Sequence, residues 1–126
     1  MEEINFKEEI TNHIIWNVRL RCFLDGGECI SEDKIVSYRN CCLGRWIYSH
    51  GFDKYSSISY MKELEEVHRN LHDVVRRVIQ LKNSGNKAFA EAEMEKLRFL
   101  SNRIIYLILK TEEEVNALRE NNVLEK

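Results

Sequence analysis

The sequence predicts an all-α protein, an antiparallel four-helix-type bundle with three long helices plus one or two short helices. Two observations carry this reading. There is no proline and there are only five glycines, so little interrupts a helix and the turn signals of many short strands are missing. Apolar residues also recur at alternating steps of three and four over long stretches, which draws one stripe along a helix.

Residues 3 to 24 read as the first helix. Phe6, Ile10, His13, Asn17, Leu20 and Leu24 follow steps of 4, 3, 4, 3 and 4. His13 falls within that stripe and so faces inward, with Ile14, Ile15, Trp16 and Val18 widening the apolar face. Asp25-Gly26-Gly27 ends the helix, because glycine enters the left-handed region without a Cβ clash.

Ser31-Glu32-Asp33 has the form of a helix cap followed by acids, and predicts a short helix through about Tyr38. A second short helix is expected from Cys41 to Ser49, with Leu43, Trp46 and Ile47 on one side. Residues 50 to 57 are expected to form a loop.

A long helix follows from about Ser59 to Asn83. Leu64, Val67, Leu71, Val74, Val78 and Leu81 make its seam, and His68, His72, Val75 and Ile79 make the row beside it. Asn83-Ser84-Gly85-Asn86 is a helix stop followed by a new cap. The last helix runs from Lys87 to about Glu120 along Leu97, Leu100, Ile104, Leu107, Thr111, Val115 and Leu118, and its polar end beyond Asn121 is expected to fray. The cluster Ile104 to Leu109, with Tyr106, is apolar nearly all round. A helix with a second apolar face has a second surface to bury, so a homodimer is expected.

No repeat or linker divides the 126 residues, so a single domain is expected over 1–126, with its core at about 5–120. A net charge of −2 without a polybasic block gives no reason to expect nucleic acid or an anionic membrane as partner. The acidic start lacks a signal peptide's basic and apolar regions, and no apolar run approaches a membrane span. The protein is therefore expected to be cytoplasmic, where thiols stay reduced and more often pack, ligate or react than form disulfides.

The chemistry begins at His68 and His72. Four residues apart on a helix, they stand one turn above the other on one face and reach one ion together. Alone, the pair is more often two hydrogen-bonded histidines beside a core stripe than a metal site. His13, inward on another helix, changes the balance, since each buried imidazole needs a partner. Cys41 is the fourth candidate. It opens Cys41-Cys42-Leu43-Gly44-Arg45-Trp46 at a helix start, where a thiol's pKa falls and thiolate is favoured. The competing reading is a small buried hydrophobe. Gly44 permits close backbone approach, with Trp46 packed beside it.

The pattern His13-Ile14-Ile15-Trp16, then Cys41-Cys42-Leu43-Gly44-Arg45-Trp46, then His68-Arg69-Asn70-Leu71-His72, resembles the chemoreceptor zinc-binding domain family over about residues 10 to 110. That family shows a His with a Trp shortly after, a Cys-x-Leu-Gly-x-Trp core and a His-x-x-x-His. The resemblance implies that His13, Cys41, His68 and His72 bind one Zn2+ ion inside a helical bundle. It also implies that Trp16, Leu43, Gly44 and Trp46 are the motif residues packed around the site. It places Cys41, and not Cys42, in the ligand position. Cys42 is left as a possible redox partner of Cys41, against the strain of a disulfide between adjacent residues. His50 is expected to be solvated, Cys22 packed and Cys29 a loop thiol.

Three histidines and a thiolate fill a tetrahedral zinc, whereas catalytic zinc keeps a position open for water. No phosphate loop or nucleophile constellation stands out either, so the protein is not expected to be an enzyme. The resemblance implies a cytoplasmic sensor of zinc or of oxidants such as hypochlorite. Such domains regulate chemoreceptor signalling regions or diguanylate cyclases as dimers. No output domain is present, and the Met start with a polar tail favours a stand-alone member acting on a protein partner. The alternatives are a purely structural zinc in a helical dimerisation module and an iron-binding bundle of hemerythrin type. The latter would want carboxylate bridges and Glu-x-x-His motifs on two helices, which are not found.

Overall fold

A computed structural model describes residues 5–27 and 41–125, apart from the side chains of His50 and of residues 121–125. The short helix expected over Ser31 to Tyr38, and Cys29, lie outside the described residues. The fold is all-α among those residues: α1 (Phe6–Leu24), α2 (Cys42–Trp46), a π-helical turn (Ile47–Gly51), α3 (Phe52–Lys54), α4 (Ser59–Asn83) and α5 (Lys87–Glu125).

The helix ends follow local chemistry. The Asn5 side chain accepts the Glu8 N–H at 3.0 Å and caps α1. Gly26 and Gly85 take φ of +88° and +86° after α1 and α4. At the second of these breaks, the Asn86 N–H reaches back to the Leu81 carbonyl at 2.8 Å. α5 continues to Glu125, past the expected limit near Glu120.

Named side-chain pairs fix the register. Glu63 meets Arg103 at 2.6 Å and Glu93 meets Arg77 at 3.5 Å, so α4 and α5 run antiparallel. Asn17 Nδ2 donates to Ser101 Oγ at 2.7 Å and Arg21 pairs with Glu91 at 2.6 Å, so α1 is also antiparallel to α5. α1 and α4 therefore run the same way, with His13 level with His68 and His72, and Phe23 under the Lys82 ammonium.

The inward stripes of α4 and α5 are as the spacing predicts: Leu64, Val74, Val78 and Ile79 face Leu97, Ile104, Leu107 and Val115 in the core. α1 differs. Ile14, Ile15 and Val18 are exposed, and so is Cys22, which was expected to pack. One helix face holds only one row, and Phe6, His13, Leu20, Phe23 and Leu24 fill it.

The expected loop over 50–57 is also corrected. The chain stays helical through Lys54, because Tyr55 N–H bonds the Gly51 carbonyl at 3.0 Å. Gly51 is buried, and a Cβ there would come within 2.9 Å of Met61 Sδ and 3.4 Å of Trp46 Cζ3. Glycine thus permits a close approach of Met61 and Trp46 where a loop was expected. Trp46 packs edge-on to Phe6 and is stacked on Tyr55, and the Tyr48 hydroxyl donates to the Glu65 carboxylate. These contacts seat the short helices between α1 and α4.

On α5, Ile104, Leu107 and Ile108 point inward, so the apolar cluster there is mostly core. Its outward part is Tyr106 and Leu109. Phe89 and Phe99 are more open still, at 67% and 73% exposure.

Candidate metal centre

Three elements bring four donor groups to one place. On α1, the buried His13 donates its Nδ1–H to the Glu9 carbonyl at 2.7 Å. The carbonyl can only accept, so this bond sets the tautomer and leaves the Nε2 lone pair facing the site. On α4, His68 and His72 stand one turn apart with ring centroids 4.5 Å apart and their Nε2 atoms 3.1 Å apart. His13 completes the group, with ring centroids 5.5 Å from His68 and 6.3 Å from His72. One ligand atom from each of these three histidines lies within 4.8 Å of the others.

Cys41 comes from the short helix. It is the N-cap of α2 and not its first helical residue, and its Sγ accepts the Gly44 N–H at 3.3 Å. The same Sγ lies 3.1 Å from His68 Nε2. Leu43, Gly44 and Trp46 are buried directly behind it, while Trp16 is half-buried beneath the Arg19 guanidinium. Cys42, by contrast, is exposed, with Arg45 donating to its Sγ at 3.5 Å.

The two closest donor pairs, Cys41 with His68 and His68 with His72, suit zinc. Bonds of roughly 2.0 Å to nitrogen and roughly 2.3 Å to sulfur give tetrahedral edges of roughly 3.3 Å between nitrogens and roughly 3.5 Å between sulfur and nitrogen. The two observed 3.1 Å separations are a few tenths of an ångström shorter, within the reach of small side-chain rotations. The donor set, three imidazoles and one thiol, is also one that zinc prefers.

Electrostatics favour the neutral ligand forms. Burial lowers the pKa of His13, opposed by its bond to the Glu9 carbonyl. Burial pushes His68, only 1% exposed, down to about 2, and the neighbouring His72 and His13 add to the shift. Histidines held neutral present lone pairs to a metal without first losing a proton. Cys41 behaves otherwise than expected. Burial pushes its thiol up to about 11, and the Gly44 and Leu43 N–H groups only partly oppose this. A five-residue helix offers too little field to overcome desolvation, so it takes a cation to draw out the thiolate.

A cavity of about 370 Å³ opens beside the cluster, lined among others by Glu9, His13, Trp16, Cys41, Arg45 and His72. It gives small molecules a way to the sulfur side of the site.

Residues 13–79, just over half of the chain, match the chemoreceptor zinc-binding domain family. The chain belongs to that family. The match starts at His13 and ends at Ile79, so it spans all four donor residues and α4 but stops short of α5. No curated protein and no solved structure matches the chain. A chemoreceptor zinc-binding domain binds Zn2+, and the clustered His13, His68, His72 and Cys41 are consistent with that cofactor.

One residue of this zinc-binding domain went unnoticed in the sequence. Glu9 is a buried carboxylate, 6% exposed, in the wall of the cavity. The available signal was its position four residues before His13, which puts both on one face of α1. Asn17 was noticed only as part of the stripe. Its hydrogen bond to Ser101, one turn beyond His13, ties that stripe to α5.

Proposed function

We propose that His13, Cys41, His68 and His72 together hold one zinc ion in a closed tetrahedral site. We further propose that Cys41 is the arm through which the domain responds to zinc level or to an oxidant. The observation that supports this most directly is the 3.1 Å approach of Cys41 Sγ to His68 Nε2 from an element outside α1 and α4. A bound ion would supply a cross-link between α1, α4 and the cap of α2. Four protein donors leave no position for a substrate water, which favours regulation over catalysis.

The oxidant step runs at sulfur. A Cys41 thiolate attacks hypochlorous acid, its sulfur is oxidised to the sulfenic acid, and chloride leaves carrying the electron pair. The sulfenic acid is a poorer ligand, so the α2 cap is released from the three histidines. The helices change their packing, and a partner reads that change. Cys42 is exposed next door and is the group placed to resolve the sulfenic acid, against the strain of a vicinal disulfide.

The rest of the reading follows from the resemblance and the packing. The fold is an antiparallel four-helix-type bundle forming one domain. It acts in the cytoplasm as a homodimer, with the open Phe89 and Phe99 face of α5 as the contact, on a chemotaxis or cyclic-di-GMP protein. No helix among the described residues is long and apolar enough to cross a membrane.

A purely structural zinc is the second reading. It is favoured by the burial of His68, which would slow exchange of the ion. Hypochlorite titration with a chromogenic chelator separates the two. The sensor reading expects zinc release from the native protein and the loss of that oxidant-triggered step in Cys41→Ala. A thiol that resists hypochlorite and a site that never empties would leave only the structural reading.

A further inference from the structure

We infer that the cavity between α1, α2 and α4 is the exchange face of the site, where small molecules reach Cys41, and that Ile15 on its rim limits their size. The inference rests on the four-ligand reading above and deepens it.

The cavity meets the site on one side only. His13, Cys41 and His72 line it, and His68 does not. His68 is 1% exposed, whereas Cys41 and His72 are half-buried. A molecule entering from solvent therefore meets the sulfur, while His68 Nε2 stays sheltered 3.1 Å away from it.

The walls say what can enter. Buried Leu71 and Val75 and half-buried Trp16 give an apolar interior, which suits the carbon body of an uncharged molecule. Ile15 on α1 faces Cys42 and Arg45 on α2 as the exposed part of the lining. The volume of about 370 Å³ is near the lower end for small-molecule pockets, so Cys41 is open to small reagents and closed to another protein's thiol. Cys42 has no such shelter and is open to both.

Two reactions use this opening. In the metal-free protein, the Cys41 thiolate attacks the sulfenyl sulfur of a methanethiosulfonate. A mixed disulfide forms, and methanesulfinate leaves with the bonding pair. In the loaded protein, an uncharged chelator enters by the same route. Cys41, on the short element, is the donor that gives way, and it takes up a proton from water as it leaves.

The test uses the full chain. Modification of Cys41 and Cys42 by methyl methanethiosulfonate and by its benzyl analogue is followed in metal-free protein by peptide mapping. Zinc transfer from loaded protein to pyridylazoresorcinol is followed by colour. Ile15→Trp narrows the opening. It is expected to slow the Cys41 reaction and the zinc transfer several-fold, with the Cys42 rate and helix content native. Ile15→Ala widens the opening and is expected to speed both, most of all the benzyl reagent. Val18→Trp is one turn along the exposed side of α1 but outside the cavity wall, and it is expected to leave both rates native. Transfer should also quicken with chelator concentration, because the chelator enters before the ion is free. Native rates in both Ile15 variants overturn the inference. An equal change in Val18→Trp, or transfer independent of chelator concentration, does the same. Cys41 as reactive in zinc-loaded as in metal-free native protein overturns the four-ligand reading itself, and this inference with it.

Discussion

Cys41 Sγ and His68 Nε2 lie 3.1 Å apart although 27 residues separate them in the chain. His68 belongs to a rigid 25-residue helix, whereas Cys41 belongs to the cap of a five-residue one. The first is held by core packing along its whole length. The second is held by a few hydrogen bonds and by Trp46 against Phe6 and Tyr55. Loss of a ligand on the short element costs little of the core, so the fold and the site are separable on that side.

Cys41→Ser and Cys41→Ala are accordingly expected to weaken zinc binding while leaving the helices intact. Circular dichroism should show native helix content, and competition with a chelator should show at least a tenfold loss of affinity. Loss of helix content in both variants would show that the sulfur is part of the core instead.

Zinc uptake should release protons from sulfur and not from nitrogen. The thiol pKa of about 11 keeps Cys41 protonated at pH 8, where imidazoles are already neutral. Calorimetry in buffers of different ionisation enthalpy should give about one proton released per zinc at pH 8. A value near zero would mean that the thiolate exists before the metal arrives.

The metal-free protein should lose stability on mild acidification. His13 and His68 have folded pKa values below the ordinary 6.5, His68 at about 2. Above pH 6.5 neither form carries the extra proton and the two groups contribute nothing to the pH dependence. As pH falls below 6.5 the unfolded chain takes up protons that the folded chain refuses, so stability drops. Glu9 works the other way, because its raised folded pKa lets the folded form take a proton first. The urea midpoint should fall between pH 7 and pH 5, by about 1 to 3 kcal/mol in stability. An unchanged midpoint would show that the histidines are not desolvated.

Thr111 offers a test of the core. Its hydroxyl is fully buried without a hydrogen-bond partner among the described residues. An unsatisfied buried hydroxyl costs about 1 kcal/mol or more. Thr111→Val should raise the melting temperature by about 2 to 5 °C. A lower melting temperature would point to a partner for that oxygen.

Much of this was legible in the sequence where one helix face decides everything. On α4 the seam from Leu64 to Val78 and the row from His68 to Ile79 are both buried because a 3.6-residue period must put them there. Gly85 reads as a helix stop because its φ of +86° suits glycine. Residues 50–57 misled because Gly51 has two uses. There it admits Met61 and Trp46 instead of ending a helix, and only the packed partner tells which. Ile14, Ile15 and Val18 misled because apolar character does not say which row the core will take. At Cys41 the start of a short helix was legible, but the burial that outweighs its field was not. Glu9 stayed hidden because an acid near a helix start is ordinary. Its place in the cavity wall depends on Cys41 and His72, far along the chain.

The four-ligand site is tested most directly by metal content. Purified native protein should hold one zinc per chain, and His68→Ala combined with His72→Ala should hold none. Stoichiometric zinc retained in that double variant would contradict the site.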